Sequence, residues 1–195
     1  MSRLSPVHFI KRRHIPALAL VAVMLVIVGD MVIAAQDKYT LKVPGGLAFS
    51  EFKGYEDWQT VSVSQTDKAF ALILANPVMI EAYRSGIPGN GKPFPDGSKM
   101  AKIHWVPVPS EDAPNPSTKV PGTLKDVDFM VRDSKRFADS GNWGYAAFQY
   151  DAATDTFRPS TTDDQPPQEN DAKCGFACHT IAEAKDYVFT TYPKR

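Results

Sequence analysis

Cys174-Gly175-Phe176-Ala177-Cys178-His179 sets two thiols four positions apart, with an imidazole directly after the second, and the chain has no other cysteine. That order of groups serves covalent c-type haem attachment. Two thiols add across the two vinyl groups of a porphyrin, and the adjacent imidazole ligates the iron. The usual spacing is C-x-x-C-H, so the extra residue here must be absorbed by a local bulge.

Three other chemistries of the same residues fit less well. Cysteines at i and i+4 of a helix have an allowed Cα separation of roughly 6 Å for a disulfide, but poorly aimed Cβ vectors. A zinc site from Cys174, Cys178, His179 and His104 is strained, because neighbours on a helix diverge by about 100°. A redox thiol pair wants two intervening residues and a βαβ setting, and neither is present. If haem is bound, an electron carrier needs a second strong ligand. Met79, Met100, Met130 and His104 are the candidates, none in a recognisable ligand motif, and each reads more naturally as a packing or surface residue. The expectation is an open distal position.

Composition bounds the setting. The 195 residues are 43% hydrophobic and 23% charged with zero formal net charge, as in a globular chain with one core. No basic run lies beyond the N-terminus, which argues against a nucleic-acid surface. Lys11, Arg12 and Arg13 precede an apolar run from Ile15 to Val28, and Ala34-Ala35 follow, the order of a secretory signal. Residues 1–35 are therefore expected to be a signal peptide and 36–195 a single haem c domain in the periplasm. An uncleaved membrane anchor is the alternative, although the run is shorter than the ~20 residues a spanning helix needs. Cleavage would remove Arg3, Lys11, Arg12, Arg13 and Asp30, leaving a mildly acidic domain in which His104 and His179 are the only histidines.

The elements that must position the motif read as follows. Trp58–Ser64 and Ala69–Leu74 form a strand hairpin across the turn Gln65-Thr66-Asp67. Asn76-Pro77 opens a helix that Gly86 closes. Ser85–Ser98 is a loop, and the strand Lys99–Val108 puts Met100, Lys102 and His104 on one face and Ala101, Ile103 and Trp105 on the other. A proline-rich connection, Pro107–Pro121, leads to a strand at Leu124–Arg132. Trp143–Tyr150 and the region of Phe157 complete about five strands and three short helices. The polar arm Pro159–Lys173 delivers a terminal helix from about Cys174 to Lys185. The fold class is α+β: a mostly antiparallel sheet packed with a few short helices and a C-terminal haem-binding helix.

Phe52-Lys53-Gly54-Tyr55-Glu56-Asp57-Trp58, Ala75-Asn76-Pro77, Phe94-Pro95-Asp96-Gly97 with Ala101-Lys102-Ile103, and the haem motif continuing into Lys185-Asp186-Tyr187-Val188-Phe189-Thr190 together resemble the cytochrome P-460 family. The resemblance implies a homodimer with one five-coordinate haem c per chain, proximally ligated by His179. Members with a lysine bonded to the porphyrin oxidise hydroxylamine. Others, similar to cytochrome c-prime beta, keep an unmodified haem and bind nitric oxide. Lys102 lies where the cross-linking lysine is expected, and Lys99 is a near rival facing the other side. The implied partners are a small nitrogenous substrate or ligand and an electron-acceptor protein. Asp126, Asp128 and Glu81 are candidates for a distal base, and Phe94, Phe129 and Phe148 for a pocket roof. A periplasmic electron carrier and a disulfide-bonded domain without cofactor are the remaining readings.

Overall fold

The computed structural model describes residues 35–43, 46–115, 117–160 and 171–194, without the side chains of 171–174. The expected signal segment, apart from Ala35, most of the polar arm and the Cys174 side chain thus lie outside the described residues. Six strands form one antiparallel meander in which every strand pairs with its sequence neighbours. They are β1 (Gln59–Gln65), β2 (Phe70–Ala75), β3 (Lys99–Pro109), β4 (Lys119–Arg132), β5 (Trp143–Asp151) and β6 (Thr156–Pro159). Helix α1 (Pro77–Arg84) joins β2 to β3, and α2 (Asp171–His179) follows β6. Among the described residues no helix is long and apolar enough to cross a membrane.

Local chemistry sets these bounds. The Asn76 side chain caps α1 by accepting the Met79 N–H at 3.2 Å, and Pro77 takes the first helical position, where no N–H is needed. The connection expected over the proline-rich segment is shorter, between Pro109 and Lys119, and the two ends of that segment are instead strand, where Pro107 faces Pro121 and Pro109 faces Lys119. Prolines are tolerated there because β2 pairs with β3 only as far as Trp105, and β5 with β4 only from Asp126. Beyond those points the hairpin is a two-stranded ribbon with no further strand on its outer edges among the described residues, so a missing donor there breaks no neighbouring ladder. The short β6 raises the strand count from about five to six. The terminal helix also differs from expectation: it begins at Asp171, its α-helical part ends at His179, and Thr180–Lys185 is a 3-10 segment with Ala182 off helical geometry.

The two sheet faces have different fates. On one, Leu74, Ala101, Ile103, Val127, Phe129, Ala146 and Phe148 meet an N-terminal wrap carrying Val43, Leu47, Phe49, Phe52 and Tyr55. The Phe49 ring lies 4.8 Å from Phe148 and 5.2 Å from Phe129, and Phe52 stacks on Phe129 at 4.1 Å. Burying such a side chain completely makes its truncation cost about 3–5 kcal/mol. Lys99 points into this side, where its Nζ donates to the Glu51 carbonyl at 2.5 Å. On the other face, α1 and the C-terminal segment cover only part of the sheet, burying Met79, Ile80, Tyr83, Met100, Met130, Trp143, Tyr145 and Val188. The remainder of that face borders a cleft.

Candidate functional site

The register of the sheet places Ile73, Lys102, Asp128 and Ala147 in one row across β2–β5. Lys102 and Asp128 are direct cross-strand neighbours, a favourable opposite-charge pair. The next row towards α1 is Ala75, Met100, Met130 and Tyr145, and the row on the other side is Ala71, His104, Asp126 and Gln149. A cavity of about 170 Å³ lies between the first two rows and the C-terminal segment, where His179, Val188, Phe189 and Thr190 form the opposing wall. An adjoining hollow of about 300 Å³ shares Asp128, Phe129, Tyr145 and His179 as walls and extends to Gly175 and Cys178.

His179 is the last residue of α2 and is half-buried. Its Nδ1 lies 2.6 Å from the Tyr187 carbonyl oxygen. A carbonyl can only accept, so the ring proton sits on Nδ1 and Nε2 keeps its lone pair. Burial pushes the His179 pKa down, against the opposing pull of the Tyr187 carbonyl, and the nearby Lys102 charge lowers it further. The neutral ring is the form that ligates a metal. Tyr145 and Phe189 flank it, with ring centroids at 4.9 and 4.8 Å. Helix α2 approaches β5 this closely because residue 175 is glycine: a Cβ there would fall 2.3 Å from the Tyr145 ring.

The structure separates the other candidates. Lys102, half-buried, lines the cavity with His179, whereas Lys99 is held on the opposite face. Of the three carboxylates, Asp128 alone borders the cavity. Asp126 contacts His104 Nδ1, and Glu81 is exposed on α1. Met100 and Met130 line the cavity, while Met79 is buried on the inner face of α1. The expected roof is corrected: of its three residues Phe129 alone borders the cavity, although its ring stacks on Phe52 on the other face; Phe94 packs on Tyr83 and Trp143, and Phe148 belongs to the other face. Phe189 and Tyr145 supply the other aromatic walls. Among the described residues the metal-type cluster is His104 with Asp126 and Asp128, and Cys178 and His179 do not join it. Cys178 carries a free, exposed thiol.

Residues 52–190 match the cytochrome P460 family. The chain belongs to the cytochrome P460 family. Family membership implies a haem cofactor and makes the protein a cytochrome. No curated protein is a detectable relative of the chain. The cleft fits that cofactor by its donor set. An imidazole with its Nε2 lone pair available and a thiol one residue earlier share one hollow. In the same wall the Tyr145 hydroxyl is buried without a hydrogen-bond partner, and burial pushes its pKa up. A buried polar atom left in that state is costly unless a ligand meets it. Tyr145, Tyr187, Val188 and Phe189 had no assigned role from sequence. Only the run Lys185–Thr190 drew attention there, as part of the family pattern.

Proposed function

We propose that the chain is an exported c-type cytochrome holding one haem, attached through Cys174 and Cys178 and ligated by His179, with its distal side open, and that it oxidises hydroxylamine. The observation that carries this reading is that Lys102 and His179 line one cavity. When bound, the haem supplies an iron that takes a nitrogen ligand and passes electrons to an external acceptor protein.

The chain's own residues supply the rest. His179 offers Nε2, with its ring orientation fixed by the Tyr187 carbonyl. Lys102, fixed on a central strand, is the residue that would bond the porphyrin ring, the new N–C bond replacing one N–H and one ring C–H in a two-electron oxidation that needs an external two-electron oxidant. Asp128, directly opposite Lys102, is then the carboxylate at the cavity wall able to take substrate protons. Ile73, Met100, Met130 and Val188 keep the remaining wall apolar, which limits water. The same apolar wall favours a second reading, nitric oxide binding to an unmodified haem without turnover.

The test is the reduced-state absorption spectrum of the purified protein alongside hydroxylamine turnover. A perturbed haem spectrum with turnover supports the enzyme, and an ordinary haem c spectrum without turnover supports the gas binder. Colourless protein from a host with working haem-attachment machinery rejects both. His179→Ala should abolish the five-coordinate spectrum, and a spectrum unchanged by it refutes the axial assignment.

A further inference from the structure

The Tyr187 carbonyl can orient His179 only if its own position is fixed, and the backbone there is unusual. Asp186 and Tyr187 are consecutive non-glycine residues with φ of 51° and 63°. Left-handed conformations at such residues persist only where the surroundings over-determine them. The surroundings here converge on the Asp186 carboxylate. Its Oδ2 accepts the Phe94 N–H at 2.8 Å and lies 3.3 Å from Arg132 Nε. The Arg132 side chain is buried, at 8% exposure, and that of Asp186 is mostly covered, at 11%. Arg132 is fixed in turn, because it closes β4, its N–H donates to the Ser98 carbonyl at 2.9 Å, and its own carbonyl accepts from Gly97 at 2.8 Å. Its Nη1 also lies 3.7 Å from Asp96, whose carboxylate Ser134 holds through its N–H at 3.0 Å and its hydroxyl at 2.6 Å. Tyr187 is seated beside this anchor with its ring on Gly141, where a Cβ would fall 2.4 Å from the ring.

We propose that the Arg132–Asp186 ion pair is a positioning device for the proximal histidine: it anchors the left-handed Asp186–Tyr187 turn to the end of β4, so that the Tyr187 carbonyl receives the Nδ1 proton of His179. Neither residue touches the imidazole. They act through the turn, and a carbonyl held at 2.6 Å strengthens the ring's basicity as a ligand. A merely structural ion pair would stabilise the fold without changing that property. The inference rests on the haem reading only for what His179 ligates.

Asp186→Asn can keep one oxygen on both the Phe94 N–H and Arg132 Nε, which meet the same Oδ2, but it removes the negative charge of the pair, so its effect should be smaller than that of Asp186→Gly. Asp186→Gly removes the carboxylate while accepting a positive φ readily. In each variant, with native circular dichroism as the folding control, the iron–histidine stretching band of the reduced haem protein is expected to move to lower frequency. A band unmoved in folded Asp186→Gly overturns the proposal, since backbone conformation alone would then suffice to hold the carbonyl. If the purified native chain carries no haem, it is the function proposal that fails. The positioning inference is then read from the imidazole 15N shifts of His179. The Nδ1-protonated tautomer is expected in the native chain and a mixture of tautomers in the variants, and identical shifts in all three overturn it.

Discussion

Gly175→Ala sets two effects of opposite sign against each other at the centre of the motif. In an isolated helix, alanine in place of glycine gains about 1 kcal/mol. Here an added Cβ would fall 2.3, 2.5 and 2.7 Å from Tyr145 Cγ, Cβ and Cδ1. Carbon pairs settle at roughly 3.5–4.0 Å, so α2 or the Tyr145 ring must retreat by about 1 Å. Overpacking of this kind costs about 1–3 kcal/mol. The ring has little freedom to move, being buried on β5 among Trp143, Met130 and Val188. The clash should therefore win, with net destabilisation of up to about 2 kcal/mol, or a melting temperature lower by a few degrees. Retreat of α2 also draws His179 off its carbonyl, so the yield of haem-loaded protein should fall with stability. Thermal unfolding and haem content per chain measure the two together. In a Tyr145→Gly background the same substitution should become neutral or stabilising, because the opposing ring and the Cβ at 2.5 Å are both gone. A Gly175→Ala protein about 1 kcal/mol more stable than the native chain would refute the close packing of α2 on β5.

Asp128→Asn should lower hydroxylamine turnover about 10²–10⁴-fold while leaving the haem spectrum in place, the range expected for losing a general base. Asp126→Asn, whose carboxylate is occupied by His104, should cost much less, and equal losses would reassign the base. Lys102→Arg keeps a cation at the cavity but cannot form the same ring bond. It should abolish turnover and preserve nitric oxide binding, as spectral titration would show. Burial alone would raise the Glu51 carboxyl, but Arg136 at 2.7 Å, the Ala48 N–H and Lys99 together hold it below its ordinary value of 4.5. The unfolded chain binds that proton more readily, so this stabilisation is present above about pH 4.5 and is lost as pH falls through the depressed value. Glu51→Gln should flatten that part of the acid unfolding curve by at most about 1 kcal/mol, given the partial exposure of the pair. An unaltered curve would show that the pair contributes nothing measurable.

Much of the fold was legible because its signals are periodic. Alternation along β1, β3 and β4 predicted those strands and, for β3, its two faces, a turn signal preceded β5, and Asn76-Pro77 announced α1. The face assignment alone separated Lys102 from Lys99, and the structure places them on opposite sides as expected. What escaped the sequence depends on partners distant in the chain. The Pro107–Pro121 ribbon reads as a break unless it is known that no strand flanks its outer edges. The orientation of His179 comes from a backbone carbonyl, which has no side-chain signature, and from a turn whose left-handed residues are not glycine. Asp128 could not be chosen over Asp126 without the register that pairs it with Lys102. The wall that Phe189 adds opposite Tyr145 similarly needs the C-terminal segment folded back over the sheet.

Peptide mapping by mass spectrometry of the purified haem protein tests the link between the cavity and hydroxylamine oxidation most directly. The expected product is a single species joining the Cys174–Cys178 peptide, one haem and the peptide containing Lys102. Recovery of the Lys102 peptide unmodified, with haem on the cysteines alone, would contradict the enzyme reading and leave the gas binder in its place.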